Sequence, residues 1–408
     1  MPGLGRRTFA PGEVLTATNV MGYLQDQAVM NFAGTAARGS AIGTAVSQGM
    51  VSYLDDSNGV EVYRTTGTAI AGWERIDAPQ SPNFIINGAF EINQRNFSSV
   101  TDNSFGFDRW RQFTNGGTST FSSQTFTLGS TPVAGYESRN FARVVTASQS
   151  ASSHYTQFAH KIESVRTLAN SSVTISFWAR AGSGTPKIAV EWVQSFGTGG
   201  SPSANVNTYV GQVTLSTSWQ RYFLTFLSPT IAGKTIGTAN DDNIQLNFYP
   251  SAGSDFNART GSLGIQNGTF DFWGVQVEAG QTATPFRRNA NSIQGELAVC
   301  QRYYNRISAT GFDHLILGYQ ITSTTFSFLY DAPVRMRSTP SVSINNIQVS
   351  DDSAYGASLS AITINASTDA QALSLRGTVA SAVGAAFRPA VLRVTGTPSG
   401  FVEFSSEL

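Results

Sequence analysis

The chain has 408 residues, with 26 basic and 26 acidic side chains that cancel, and a charged fraction of 13% beside 40% hydrophobic residues. That is about half the roughly 25% charge of ordinary globular proteins, and the charges are scattered, which argues against nucleic-acid binding through phosphate neutralisation and against a polybasic membrane anchor. A single cysteine, Cys300, excludes an intrachain disulfide framework and a cysteine zinc site, and no apolar run approaches the length of a membrane-spanning helix.

Ser, Thr, Asn, Gln and Gly fill the charge deficit. Neutral polar side chains on exposed strand faces, with Gly in turns, predict a mainly β fold. The length predicts two or three domains rather than one core.

Residues 1–77 read as a small N-terminal attachment unit, a helix plus a hairpin. Arg6-Arg7-Thr8-Phe9 is followed by Ala10-Pro11-Gly12 instead of an apolar stretch, so no targeting segment is expected. Thr18 is placed to cap a helix in which Val20, Leu24, Ala28 and Phe32 recur near helical spacing. Residues 33–48 are small and turn-rich. Two apolar runs, 49–54 and 60–63, flank Asp55-Asp56-Ser57-Asn58-Gly59 and predict a hairpin, with Trp73 closing a third strand. So thin a core predicts support from a partner, either further copies of the chain or a neighbouring protein. Residues 78–83, with Pro79 and Pro82, read as a linker.

Residues 84–290 alternate apolar and polar side chains over 173–180, 187–193, 220–226, 244–249 and 270–277, with Gly, Ser and Pro clusters between. Strands at this density without interposed helices predict a sandwich or barrel. Residues 291–306 predict a helix capped by Asn291 or Ser292, with Ile293, Leu297, Cys300 and Tyr304 on one stripe. Cys300 reads as a buried small hydrophobe. From 307 to 408 the β pattern returns at 318–321, 325–330, 334–344, 361–364 and 391–394, enough for a small C-terminal β-sandwich.

Catalytic chemistry finds little support. Asp55-Asp56, Asp241-Asp242 and Asp351-Asp352 are adjacent pairs, but neighbours on a strand face opposite ways and all three pairs sit in turn-like sequence. His154 and His160 fall on one face of a continuous strand without metal-ligand spacing, and His314 stands alone. There is no nucleophile elbow, P-loop or dinucleotide fingerprint. No catalytic residue, cofactor or metal is expected. Aromatic side chains carry more: sugar rings stack on flat aromatic faces, and Trp178, Trp192, Trp219 and Trp273 lie on predicted strands. Trp178, Trp192 and Trp273 are the candidate glycan contacts. Core packing is the competing reading for each, and strands bearing aromatics on both faces, such as Phe177-Trp178 and Phe272-Trp273, need a cover or a ligand on the outer one.

The series Asn83-Phe84-Ile85-Ile86-Asn87-Gly88-Ala89-Phe90-Glu91, Asp108-Arg109-Trp110, Ser176-Phe177-Trp178-Ala179-Arg180, Ser218-Trp219-Gln220-Arg221-Tyr222 and Gly274-Val275-Gln276-Val277-Glu278-Ala279-Gly280 is similar to a carbohydrate-binding-module-like jelly roll common in bacteriophage tail fibres. There such a module is often followed by a helix resembling residues 296–304 and a small β domain. The segments 23–30 and 49–54 likewise resemble phage tail-protein N-termini.

The resemblance covers about half the chain. It implies a central jelly-roll β-sandwich over 84–290 in a non-enzymatic structural protein of the virion, usually a homotrimer. Residues 1–77 would dock to other tail proteins and the β domains would recognise a host cell-surface glycan, without nucleic acid or membrane insertion. The helix would offer a trimer seam. The alternatives are a purely structural tail or adaptor protein, and a secreted glycan-active enzyme or its binding module, discriminated by carboxylates converging on a cleft. Related jelly rolls often hold a structural calcium. Glu91 matches one of its acids, but the last-strand acid is replaced by Trp273 or Gly274, with Asp271 two residues earlier, so no calcium is expected.

Overall fold

The computed structural model describes residues 12–14, 16, 17, 20, 29–56, 59–64, 72–75, 83–101, 103–133, 136–351, 356–365 and 369–408. The chain divides into two compact units, residues 1–82 with 282–285, and residues 83–281 with 286–408.

In the first unit, strands β1 (Met30–Phe32), β2 (Val51–Leu54), β3 (Gly59–Arg64) and β4 (Gly72–Arg75) form one sheet in chain order, and β1 runs parallel to β2. The expected hairpin is β2–β3, with Val51 opposite Val62 and Leu54 opposite Gly59, and Trp73 lies on β4 as expected. Phe32 is on a strand, not on the helix expected from Thr18. Val20 stands in a helical turn, its N–H donating to the Thr16 carbonyl at 3.0 Å, while Thr18, Leu24 and Ala28 of that helix, the hairpin tip Ser57-Asn58 and most of the 78–83 linker lie outside the described residues. A helix stands instead at α1 (Thr35–Ile42), in the stretch read as turn-rich. Its buried Arg38 fastens it to the sheet, donating to Ser52 Oγ at 3.0 Å, pairing with Glu61 and lying 4.2 Å over the Trp73 ring.

The second unit begins with a two-sheet antiparallel sandwich. Its strands are β5 (Ser99–Val100), β6 (Trp110–Asn115), β7 (Thr118–Thr125), β8 (Asn140–Ala147), β9 (Tyr155–Glu163), β10 (Ser172–Ala181), β11 (Lys187–Ser195), β12 (Val206–Thr214), β13 (Gln220–Leu227), β14 (Asn243–Ala252) and β15 (Gly268–Ala279). The six-stranded sheet is ordered β13-β10-β15-β8-β7-β5 and the five-stranded sheet β12-β11-β14-β9-β6. Strands change sheets repeatedly along the chain, as in a jelly roll. Period-two alternation turns Ile175 and Phe177, Val190 and Trp192, Leu246 and Phe248, and Phe270 and Phe272 toward each other between the sheets.

The opening motif is a stitch rather than a site. Asn83 Oδ1 accepts the N–H groups of Ile85 and Val277, tying the chain start to β15. Asn87, at φ 58°, donates to the carbonyls of Ile92 and Asp108, and its own carbonyl accepts the Trp110 indole N–H at 3.0 Å. A Cβ on Gly88 would lie 2.1 Å from the Val275 carbonyl oxygen, so only glycine allows this approach.

Helix α3 (Ile293–Gln301) follows a short helix α2 (Asn257–Thr260) and is capped by Ser292, whose Oγ accepts the Gly295 N–H at 3.0 Å. It is shorter than expected, because Tyr304 already belongs to a strand. Its buried side chains are Glu296 and Cys300, while Ile293 is exposed. Glu296 turns inward to accept the N–H groups of Asn87 and Ala290. Burial pushes the Cys300 thiol well above its ordinary range, as suits a packing residue.

The C-terminal strands are β16 (Tyr304–Gly311), β17 (His314–Gln320), β18 (Thr325–Asp331), β19 (Ser341–Asn345), β20 (Ile347–Ser350), β21 (Gly356–Ile364), β22 (Ala372–Val379), β23 (Pro389–Val394) and β24 (Gly396–Ser405). They do not form the expected two-sheet sandwich. Six of them close into a barrel, β17-β18-β22-β21-β20-β23, and β16-β24-β19 make a separate sheet. Closure removes sheet edges, and Phe326, Phe328, Leu375 and Leu392 fill the interior.

This domain is fastened to the sandwich. Arg302 binds Glu163 through two nitrogens at 2.8 and 3.0 Å, the Tyr303 hydroxyl donates to the same carboxylate at 2.7 Å, and Glu407 takes both Arg95 and Arg109.

Candidate functional site

The three candidate tryptophans do not converge on one surface. Trp192 points from β11 into the sandwich core, is 0% exposed, and donates its indole N–H to Ser228 Oγ at 3.2 Å. Trp178 and Trp273 face each other across β10 and β15 on the outer face of the six-stranded sheet. That face carries the cover its aromatics required. Tyr136 and Phe286 lie 5.4 and 5.1 Å from the Trp273 ring, Phe126 packs edge-on at 6.2 Å, and Trp273 is also 0% exposed. Trp192 and Trp273 are therefore core residues, a correction to their reading as glycan contacts: a ring without an exposed face offers no platform to a sugar. Trp178 is half-buried in the same cluster. Its ring lies over Gly274, where φ is +61° and a Cβ would sit 3.0 Å from the indole. Trp219, also placed on a strand by its pattern, sits just before β13 and packs on Phe126 and Phe141.

The acids near these rings are engaged by guanidinium groups. Asp271 accepts from Arg143 at 2.7 and 3.0 Å and from Arg180 at 2.8 Å. Glu91 accepts from Arg288 at 2.6 and 2.9 Å. Both acids weighed for a calcium site are thus paired with guanidinium groups, and among the described residues no cluster of three His, Cys, Asp or Glu side chains gathers. The Asp pairs act locally: Asp241 accepts from Thr198 N and Oγ1, and Asp242 from Val165 N and Ser164 Oγ. Asp55 lies in the turn after β2, and Asp351 lies 3.3 Å from Arg388, its neighbour Asp352 being outside the described residues. His154 precedes β9 rather than lying on it, His160 is buried, and His314 is exposed at the start of β17.

A polar site does form, on the outer face of the five-stranded sheet. Strand alternation that sends Val190 and Trp192 inward sends Glu191 outward, and it does the same for Gln245, Asn247 and Tyr249 on β14 and Gln157 on β9. The side chains form a continuous chain of hydrogen bonds. Gln245 Nε2 donates to Asn247 Oδ1 at 2.7 Å, Asn247 Nδ2 to Glu191 at 2.8 Å and the Tyr249 hydroxyl to Glu191 at 3.1 Å, while Gln157 donates to that hydroxyl. Arg259, from α2, closes the network with Nε and Nη2 at 2.5 and 2.8 Å from the two Glu191 oxygens. Burial, then the Glu191 charge, push the Tyr249 hydroxyl far above its ordinary range, so it remains a donor.

The carboxylate is fully buried, whereas the Arg259 side chain is 33% exposed and Tyr209, opposite Glu191 on β12, is 40% exposed. The inner members hold the outer ones in place. Tyr209 packs on Gly261, where a Cβ would lie 2.3 Å from the ring. None of these residues was singled out in the sequence. The available signal was the alternation Gln245-Leu246-Asn247-Phe248-Tyr249 and the lone acid between Val190 and Trp192. Arg259 gave none, since it reaches Glu191 across 68 positions.

No protein-family model matches the chain, and no curated protein matches it. Among solved structures it is similar to a CBM4 module (21% identity over 48% of this chain and 98% of the module, TM-score 0.27). It is similar too to the CBM22-2 xylan-binding domain from Paenibacillus barcinonensis (19% identity over 45% of this chain and 98% of the domain, TM-score 0.28). A third is the enzymatically active domain of bacteriophage CBA120 tailspike protein 4 (11% identity over 48% of this chain, TM-score 0.28), of which the chain spans only 21%. At these TM-scores the likenesses decide nothing about this chain.

Proposed function

We propose that the second unit is a non-catalytic glycan-binding module, and that the whole chain is a phage tail fibre carried in the virion. One observation carries the glycan reading: the Gln245–Asn247–Glu191–Tyr249–Arg259 network on an outer sheet face, edged by the part-exposed ring of Tyr209. The part-exposed Gln245 amide and Arg259 guanidinium, held in place by the buried Asn247, Glu191 and Tyr249, stand beside the Tyr209 ring and offer what a sugar's hydroxyls and ring require, and preorganisation lowers the entropy lost on binding. The tail-fibre reading is supported by the sequence resemblance. It carries with it the docking of residues 1–77 to other tail proteins and assembly as a homotrimer, whose copies would add avidity to weak individual sites.

The test is adsorption of labelled protein to a panel of bacterial cells, before and after oxidation of their surface glycans. Saturable binding that is lost on oxidation and reduced at least tenfold by Tyr209→Ala, with an unchanged melting temperature, is expected. Binding that survives both treatments, or no binding by a protein that still assembles onto purified tail components, refutes glycan recognition at this face. The second of these outcomes leaves the structural adaptor.

A further inference from the structure

At the β6 edge of the five-stranded sheet two cations share a face without an acid between them. Arg111 on β6 pairs with Ala159 on β9, and Lys161 lies two residues along β9 on the same side. The Arg111 guanidinium is held between aromatic rings, 4.6 Å from Phe113 and 5.3 Å from Phe105, and its Nε donates to the Asn103 carbonyl at 2.7 Å. Its two terminal nitrogens and the Lys161 ammonium make no hydrogen bond or ion pair among the described residues. The neighbouring side-chain carboxylates are engaged elsewhere: Glu407 with Arg95 and Arg109, Asp108 with Gln94, and Glu403 with Tyr304 and Ser343, while Leu408, whose α-carboxylate forms no ion pair with either cation, lies on the same cavity wall. Burial, then the charges of Arg111 and Arg109, lower the Lys161 ammonium from its usual range against the opposing charges of Glu407 and Asp241.

Arg111 and Lys161, with Phe105, Phe113, Ala159 and Leu408, line a small cavity of about 10 Å³. That is room for about one small polar group. Arg111 and Phe105 also line an adjoining open cleft of about 420 Å³, which continues past Asn103, Ser104, Tyr304 and Ser405 into the junction with the C-terminal domain. A fixed guanidinium with a free edge suits a planar carboxylate held by two parallel hydrogen bonds, and an ammonium beside it adds charge without directional demand. Arg95 and Glu403 also line the cleft, but their charges are engaged within the chain, by Glu407 and by Tyr304 and Ser343, so the remaining polar and aromatic wall suits the neutral remainder of an oligosaccharide.

We infer that this corner binds the carboxylate of an acidic sugar, a uronic-acid unit of a glycan whose neutral part lies along the cleft. The inference rests on the glycan reading above and names the class of glycan. It also places a second contact region on the sheet face that bears Glu191.

The test is titration calorimetry of the full chain with oligogalacturonates and glucuronate-containing oligosaccharides, each compared with the same oligosaccharide after carboxyl reduction. Charge-assisted bonds of this kind predict binding roughly tenfold to a hundredfold weaker after reduction. Arg111→Gln and Lys161→Gln should each abolish most of that difference while leaving the reduced form's affinity unchanged. Without ligand, Lys161→Gln should hold or raise the melting temperature, because it removes a like-charge contact. Equal affinity for the acidic and reduced forms overturns the acidic-sugar assignment alone. So does a variant that keeps the discrimination, or a melting temperature several degrees lower for Lys161→Gln. Failure to bind either form, in a protein that still adsorbs to cells through oxidisable glycans, also overturns it. Failure to bind any glycan overturns the glycan reading as well.

Discussion

Replacing Trp192 by alanine separates a core indole from a sugar platform. The side chain is fully buried between the sheets, edge-on to Phe226 at 5.5 Å, and its N–H meets the buried hydroxyl of Ser228. Truncating a buried tryptophan costs about 3–5 kcal/mol through lost transfer energy and the residual cavity. Leaving Ser228 without its donor adds roughly 1 kcal/mol. A loss of about 4–6 kcal/mol should lower the melting temperature of a unit this size by roughly 6–9 °C. Trp192→Phe keeps an aromatic ring and should lose only about 1–2 kcal/mol. The assay is thermal and urea unfolding of the full chain followed by far-ultraviolet circular dichroism and tryptophan fluorescence. Glycan binding is measured below the transition, where the surviving folded fraction of Trp192→Ala should bind normally. A melting temperature within about a degree of the parent, together with lost binding, would refute the core assignment.

Two further outcomes follow from buried polar groups. Asp271→Asn leaves Arg143 and Arg180 without a counter-charge. Because both guanidiniums remain about one-third exposed, the loss should be about 1–3 kcal/mol rather than the larger penalty of a fully buried pair, read from denaturant midpoints. His160 is buried, and burial followed by the Arg109 charge holds its imidazole well below the ordinary value, so the folded protein keeps it neutral while the unfolded chain binds a proton below about pH 6.5. The unfolded state then carries more protons, so stability falls on acidification, with a limiting slope of about 1.4 kcal/mol per pH unit for this one group. His160→Gln, which retains an acceptor for the Ile86 N–H, should flatten that part of the stability profile between pH 7 and 5. An unchanged slope would show that His160 is not the group responsible.

Local chemistry was legible in the sequence wherever it is decided by neighbouring residues. The alternation over 173–180, 187–193 and 244–249 became β10, β11 and β14, Ser292 caps α3, and the Asp pairs at 55–56 and 241–242 serve turns. Strands such as β8 and β9 escaped because Ala, Arg, Gln and His interrupt their apolar pattern, and their strand state comes from pairing on both sides. The N-terminal Phe32 shows the same override, since a residue at helical spacing joins a sheet through its pairing with Leu54.

Alternation says that Phe272 and Trp273 face opposite ways; it does not say what covers each face. Only the tertiary structure lays Tyr136 and Phe286 over Trp273, closes the C-terminal strands into a barrel, and brings Arg259 to Glu191 and Glu407 to Arg109 across 298 positions. A strand's period is a property of its own backbone, whereas burial, ion pairing and sheet closure depend on segments distant in the chain, so residue order determined the strands and the assembled sheets decided which side chains remain available to a ligand.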